Sequence, residues 1–441
     1  MLSRFFKLAE HRTTVGRELA AGLTTFTAMA YILAVNPSIL AAAGMPKDAL
    51  VTVTAISAAC ATLIMALMTN LPLALAPGMG INAFFAFSIC LGLGVPWQSA
   101  LGLVFVNGVV FLALSVTGVR EKIVNSIPLA LKVAITCGIG LFIAFIGLKN
   151  GGIIVGNQAT LVGPGQLGAM PAALTFAGII FAGVLVARRV PGAIVLSILA
   201  ITFVGFFIPD GKGGRVTPLP DFSNWLPASP APTFFALDFK FLLAEPLKAL
   251  PVIATLLIVD MFDNIGTLIG VTKRAGLLRP DGTLPKAGRA LVADSLATLL
   301  SALFGTSTVV SYIESAAGVE AGGRTGLSAA TTAVLFLAAL LLTPLILIIP
   351  AAATAPALVI VGVFMFREIA ELDLSDFTQS MPVVVTVLTI PLTFSIAEGL
   401  ALGVISYVLL AVATGRGKQI NAFSYGLAAI FVLHLFHGLL F

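Results

Sequence analysis

Charge is scarce in this chain of 441 residues. Lys and Arg number 24 and Asp and Glu 19, together 10% of the sequence, against 59% hydrophobic residues. With a mean hydropathy of +1.10, too little polar surface exists to cover a water-soluble fold. Lipid is therefore the expected solvent, and in lipid only helices or closed barrels satisfy the backbone. The apolar runs are long and lack the alternation of a barrel strand, which selects helices. Cysteine is nearly missing too. Cys60, Cys90 and Cys137 lie far apart in or beside apolar segments, and they make neither a disulfide framework nor a metal site. Histidine is confined to His11, His434 and His437. None falls in the fourteen spans delimited below, so imidazole is excluded as a proton carrier within them.

What charge there is has a pattern. Apolar runs predict spans near 18–40, 49–69, 74–92, 98–117, 128–147, 170–187 and 191–208. After a polar, Pro-rich interval at 209–246 come further spans near 247–271, 288–304, 308–321, 326–348, 353–366, 381–395 and 397–413. Arg4, Lys7, Arg12 and Arg17 place the N-terminus in the cytoplasm. Every even-numbered loop should then be cytoplasmic, and the basic residues obey: Arg120 with Lys122, Arg188 with Arg189, the group Lys273, Arg274, Arg279, Lys286 and Arg289, then Arg324, Arg367, and Arg416 with Lys418. The loop holding Asp210, Asp221 and Trp225 falls on the opposite side. This placement explains the net charge of +5 without a nucleic-acid partner. The basic start of the chain is expected to be retained rather than cleaved. A last apolar stretch, Phe423 to Phe441, has no assigned placement.

Seven spans in each half is an odd number, so two halves of one fold must enter the membrane with opposite topology. The predicted fold class is thus an all-α polytopic membrane protein of about fourteen segments in two inverted seven-span repeats. A short sequence echo accompanies it: Ala49-Leu50-Val51 opens the second span and Ala290-Leu291-Val292 the ninth.

Two spans begin in a way that a regular helix does not. The third reads Leu75-Ala76-Pro77-Gly78-Met79-Gly80-Ile81-Asn82, with one Pro and two Gly in four residues. The tenth opens on Gly305-Thr306-Ser307-Thr308-Val309-Val310-Ser311, whose β-branched and hydroxyl side chains suit extended backbone. Short extended segments breaking spans 3 and 10 point to a binding site near the bilayer midplane. Beside them, the eighth span carries Asp260, Asp263, Asn264 and Thr267. Carboxylates inside an apolar span are expensive and are functional by default. The spacing of Asp260 and Asp263 puts both on one helix face, although a structural hydrogen-bonded cluster would explain either. Glu314 follows the broken start of the tenth span, as a ligand acceptor or as a helix cap. Asn82 occupies the corresponding place in the third, as a ligand contact or a tie between the crossed elements. Asp294, Glu320 and Glu398 are assigned structural roles. With no histidine in the spans, any proton coupling falls to Asp263, Asp260 or Glu314, because burial favours the neutral form of a carboxyl. The same acids would equally serve sodium.

At these residues the chain resembles the AzgA-like purine permeases, a branch of the nucleobase–ascorbate transporter superfamily that also contains bacterial uracil permease. The stretches are TTFTAMAYILAVNP (24–37), ALAPGMGINAFFAF (74–87), VDMFDNIGTLIGV (259–271) and GTSTVVSYIESAAGVEAGGRTGLSA (305–329). The resemblance implies a core domain of spans 1–4 and 8–11 (residues 1–120 and 247–348) and a gate domain of spans 5–7 and 12–14 (121–208 and 349–413). The interval 209–246 is then an extracytoplasmic loop, and 414–441 a C-terminal segment. It further implies a nucleobase held by Asp263 or Asp260, Glu314 and Asn82, with Asn264 and Thr267 standing where the uracil permease pattern has a histidine. Phe26, Tyr31, Phe84 and Phe85 are candidates for a stacking wall, although aromatics in apolar helices are usually packing.

The expected function is proton-coupled uptake of hypoxanthine, guanine or adenine through the cell (inner, plasma) membrane by alternating access. The expected partners are a purine nucleobase, membrane lipid and, through the gate domain, a second copy of the chain; no cofactor and no metal are expected. The rival readings are an anion permease of the sulfate type or a sodium-coupled transporter on the same fold. A sulfate-type site would favour positive groups over paired acids. An intramembrane aspartyl hydrolase is disfavoured because both eighth-span acids lie on one helix and no GxGD sequence is present.

Overall fold

The computed structural model describes residues 2–118, 128–211, 213–221, 225–277 and 287–440. Arg120, Lys122, Arg279 and Lys286, used above for topology, lie outside the described residues. Among those described, ten helices are long and apolar enough to cross a membrane, and shorter apolar helices cover 79–92, 193–205, 377–393 and 422–432.

In the first half, α1 (Val15–Met29) and α2 (Ile32–Leu40) follow one another through Ala30 and Tyr31. The hydroxyl of Thr14 accepts from Arg17 N at 3.4 Å and starts α1. α3 (Lys47–Thr69) ends on Asn70 at φ 58°, a left-handed position that Asn tolerates. There follow the strand β1 (Leu75–Pro77) and α4 (Met79–Ala83), which continues as a π-helical stretch to Gly92. α5 (Trp97–Val116) and α6 (Leu129–Asn150) come next. A hairpin of β2 (Ile154–Asn157) and β3 (Leu161–Pro164) leads into α7 (Met170–Ala187) and α8 (Ala193–Gly205).

The second half opens with a short α9 (Lys240–Ala244), the long α10 (Pro246–Arg274) and α11 (Ala287–Phe304). Then come β4 (Val309–Ser311), α12 (Ser315–Glu320), α13 (Gly326–Ala338) and α14 (Thr343–Leu347). α15 (Ala351–Phe366), α16 (Phe377–Thr393), α17 (Ile396–Ala413) and α18 (Ala422–Leu440) complete the chain. The C-terminal stretch, unassigned from sequence, is a helix packed against α17 and α10.

The helices pack chiefly within two groups. α1 and α3 pack on α13, α11 packs on α3 and α5, and α10 on α5. Separately, α15 packs on α6, α7 and α8, while α16 packs on α6 and α17. Small residues let backbones meet: a Cβ on Gly147 would stand 2.8 Å from the Ala355 carbonyl oxygen, and one on Gly140 2.8 Å from that of Gly362.

The interval between the halves is tied to both groups. At one end the Thr217 hydroxyl donates to Thr202 O of α8 at 2.8 Å. At the other, Thr52 of α3 donates to Ala228 O at 2.8 Å, Asp238 N donates to Gln98 O at 3.0 Å, and Phe235 N donates to Leu303 O at 2.8 Å. Gly305, at φ 90°, is pressed so closely against the Thr233 carbonyl that a side chain there has no room.

Candidate functional site: a small cavity beside a two-stranded joint

The two irregular sequences meet as one small antiparallel pair, with Leu75 opposite Ser311, Ala76 opposite Val310 and Pro77 opposite Val309. Pro77 has no N–H to give, and Gly78 N supplies the next bond instead, to Thr308 O at 3.0 Å. Tyr312 N donates to Ala74 O at 3.0 Å, Ala74 N to the Ser315 hydroxyl at 3.0 Å, and the Tyr312 hydroxyl to Pro77 O at 2.6 Å. Backbone groups that a broken helix would strand in lipid are thus satisfied across the joint.

Each strand hands a polar side chain forward. Asn82, fully buried in α4, accepts from the Ser307 hydroxyl, while its Nδ2 is buried without a partner among the described residues. Glu314, at the start of α12 and partly buried, accepts from the Tyr31 hydroxyl at 2.5 Å. Tyr31 stands between α1 and α2 and is 2% exposed.

The two acids of α10 part company. Asp260 is fully buried, with Oδ1 bound by Asn264 Nδ2 at 2.7 Å and Oδ2 facing Asn107 Nδ2 of α5 at 3.4 Å. Asn264 then accepts from Ser311 N at 2.7 Å, so Asp260 and Asn264 fasten α10 to α5 and β4. Asp263 turns elsewhere. It lines a cavity with Gly80, Val259, Ile135, Thr136, Ile139 and Met365, between α4 and α10 on one side and α6 and α15 on the other. Three residues along a helix leave an offset of about 60°, which is enough to send two side chains of one face into different interfaces. Asp263 also lies within electrostatic reach of Glu314. The cavity measures about 10 Å³, close to the lower limit for one water and far below the ~300 Å³ at the small end of ligand pockets. Thr267 is buried on the same helix.

The aromatic candidates behave differently from one another. Phe84 and Phe85 are buried in the apolar core, and Phe26 packs edge-on to Phe336 of α13 at 5.3 Å. Only Tyr31 presents a polar tip to a candidate acid. Sequence reasoning did not find the lining residues on α6 and α15, nor Tyr31 as the partner of Glu314. Apolar residues in apolar helices carry no signal of which interface they face.

Of the acids assigned structural roles, Glu320 pairs with Arg274 at 3.1 Å. One further acid escaped notice. Glu18 of α1 is fully buried and accepts from the backbone N–H groups of Arg324, Thr325 and Ser328 at 2.9, 3.2 and 3.3 Å, holding the exposed amides at the N-terminus of α13.

With this geometry in place, comparison with known proteins is decisive. A sequence profile of the group described as "Permease family" matches residues 16–402. The chain belongs to that permease family. Adenine permease AdeQ of Escherichia coli (strain K12) is 41% identical over 435 residues, covering 98% of this chain and 96% of the relative. Guanine/hypoxanthine permease PbuG of Bacillus subtilis (strain 168) is 41% identical over 442 residues, covering 98% and 99%. Among solved structures, the transmembrane domain of a cyanobacterium bicarbonate transporter, BicA, superposes with a TM-score of 0.64 at 18% identity, covering 88% of this chain and 97% of that one; this likeness concerns the fold alone. The resemblance to nucleobase–ascorbate transporters carried by the stretches 24–37, 74–87, 259–271 and 305–329 is upheld by these relatives. This permease is a multi-pass membrane transporter and not an enzyme.

Proposed function

We propose that this permease carries purine nucleobases (adenine, guanine or hypoxanthine) into the cell, coupled to protons, by alternating access. The single observation that carries the proposal is the joint of β1 with β4, which ties together the elements bearing Asn82, Glu314 and, through Asn264, Asp263, beside the small cavity that Asp263 lines. A purine offers adjacent N–H donors and ring acceptors on one plane, and a carboxylate takes two neighbouring donors at once. Asp263 and Glu314 supply carboxylates, and the buried Nδ2 of Asn82 supplies an unused donor. Asp260 and Asn264 serve as scaffold. Relatives that cover almost the whole chain are named for adenine and for guanine and hypoxanthine.

A cavity this small lies between two helix groups, so a base enters only when the groups separate. The packing of the helices supports reading these groups as a core of residues 1–120 with 247–348 and a gate of 121–208 with 349–413. The inverted repeat is supported by packing that exchanges halves: α3 with α13 is answered by α11 with α5, and α6 with α16 by α15 with α7. The helices bearing the echoed Ala-Leu-Val, α3 and α11, pack on each other. Loop charge supports a cytoplasmic N-terminus in the plasma membrane.

The deciding measurement is uptake of radiolabelled adenine, hypoxanthine, guanine, xanthine and uracil, with and without a proton-collapsing ionophore. Purine uptake abolished by the ionophore is expected. No purine uptake would refute the substrate, and ionophore-resistant, sodium-dependent uptake would refute the coupling ion. Anion transport is favoured only by the fold shared with BicA, and paired acids at the site oppose it.

A further inference from the structure

The cavity lined by Asp263 is closed on the opposite side by Thr136 of α6 and Met365 of α15. One turn past Met365, on the 3-10 turn Arg367–Glu371 that ends α15, stands Glu368. The turn packs on α6, which sets the Glu368 carboxylate beside the Thr136 side chain and within electrostatic reach of Asp263, while the Thr136 hydroxyl donates to Lys132 O at 3.2 Å. Asp263 is partly buried, whereas Glu368 is exposed. Both acids can be placed by depth. α6 begins at Leu129 and α10 ends at Arg274, at the side of the membrane where α15 also ends. At 1.5 Å per residue Thr136 lies about 10 Å inside that face and Asp263 about 16 Å. Between Asp263 and the Thr136–Glu368 pair there is room for about one water.

We propose that Glu368 is the exit relay for the proton that Asp263 carries, receiving it through a water in the cavity, with Thr136 positioning the Glu368 carboxylate. The O–H bond of the Asp263 carboxylic acid breaks and its proton joins the water. That water passes one of its own protons to a Glu368 oxygen, leaving Asp263 as carboxylate and Glu368 as acid. Glu368 then gives the proton to cytoplasmic water as hydronium. The charged surroundings fit a group that must both accept and release. Glu371 shares its turn and opposes the anion, Arg367 is its neighbour, Lys132 lies one turn from Thr136 on α6, and Asp263 faces it from α10.

The inference rests on the proton-coupled transport proposed above and on α15 ending in the cytoplasm. A symporter must release its proton before returning empty, but it can exchange one base for another while staying loaded. Net uptake and exchange therefore separate a relay from a structural role. Radiolabelled adenine and hypoxanthine should be followed in proteoliposomes of the whole protein, once with an inward proton gradient and once as exchange at equal pH. For Glu368→Gln, net uptake is expected to fall by about tenfold or more, below the full range of a positioned proton-transfer group, with exchange within about twofold of the unaltered protein. Glu368→Asp should retain net uptake, and Thr136→Val should reproduce the loss in part. Equal losses in both assays, or unchanged net uptake in Glu368→Gln, would overturn the relay while leaving the transport proposal standing. Absence of gradient-driven uptake in the unaltered protein would overturn both.

Discussion

The Tyr31 hydroxyl donates to Glu314 Oε1 at 2.5 Å across 283 residues of sequence, linking the junction of α1 and α2 to the first turn after β4. A buried phenol bound to a carboxylate fixes where that carboxylate points and leaves its second oxygen for a ligand. Tyr31→Phe keeps the ring packing and removes only this donor. The KM for purine uptake is expected to rise roughly thirtyfold, from loss of about 2 kcal/mol for a hydrogen bond to a charged group. Transport kinetics in cells, normalised to the amount of protein in the membrane, check it.

The two α10 acids should fail in different ways. Asp263→Asn is expected to abolish proton-driven uptake while melting in detergent as the unaltered protein does. Asp260→Ala leaves Asn107 Nδ2 without its acceptor and Asn264 Nδ2 with only the backbone carbonyl of residue 260, and stability should drop by about 2 kcal/mol. Thermal melts and uptake on both variants together test the division; a stable, inactive Asp260→Ala would return Asp260 to the site.

Gly80 sits where α4 meets α6. A Cβ there would stand 2.6 Å from Ile139 Cγ2, an overlap that costs about 1–3 kcal/mol unless the helices part. Gly80→Ala should therefore slow uptake severalfold by holding the cavity open, and Ile139→Ala in the same chain should restore the rate. A double variant no faster than Gly80→Ala would show that closure against Ile139 is not what the glycine permits.

Glu18 predicts a stability effect far from the cavity. Glu18→Ala strands the amides of Arg324 and Thr325 at the start of α13, while Ser328 N keeps Thr325 O, with an expected cost of about 2–3 kcal/mol. Glu18→Gln retains one oxygen and should recover part of it. Melting temperatures of the two variants in detergent give the comparison.

How far the sequence could be read depended on whether a residue breaks a local rule. Pro77, Gly78 and the hydroxyl-rich run 306–308 violate helix chemistry in place, and both extended segments appear where they were expected. Acids in apolar helices are equally conspicuous, so Asp260, Asp263 and Glu314 were visible as a set. Which interface each acid faces was not, because spacing fixes an angle on one helix and not the position of the helices around it. Glu18 escaped for a related reason: an acid in the first turn of a helix reads as ordinary dipole chemistry, and its partners lie on α13. Thr136, Ile139 and Met365 obey every rule of an apolar span. Only the placing of α6 and α15 across from Asp263 makes them the far wall of a cavity.

The pairing of Leu75–Pro77 with Val309–Ser311 has a consequence for biogenesis. While the first half is being threaded into the bilayer, Thr62 can already serve Leu75, but the Ala74 carbonyl and the Gly78 N–H find their partners only at Tyr312 and Thr308, and hydrocarbon does not tolerate such groups bare. They are satisfied only when synthesis has passed Tyr312. The nascent first half must therefore wait as an unfinished bundle, screened by water, lipid headgroups or the insertion machinery, and the joint comes into being late, in one closing step that unites the two halves.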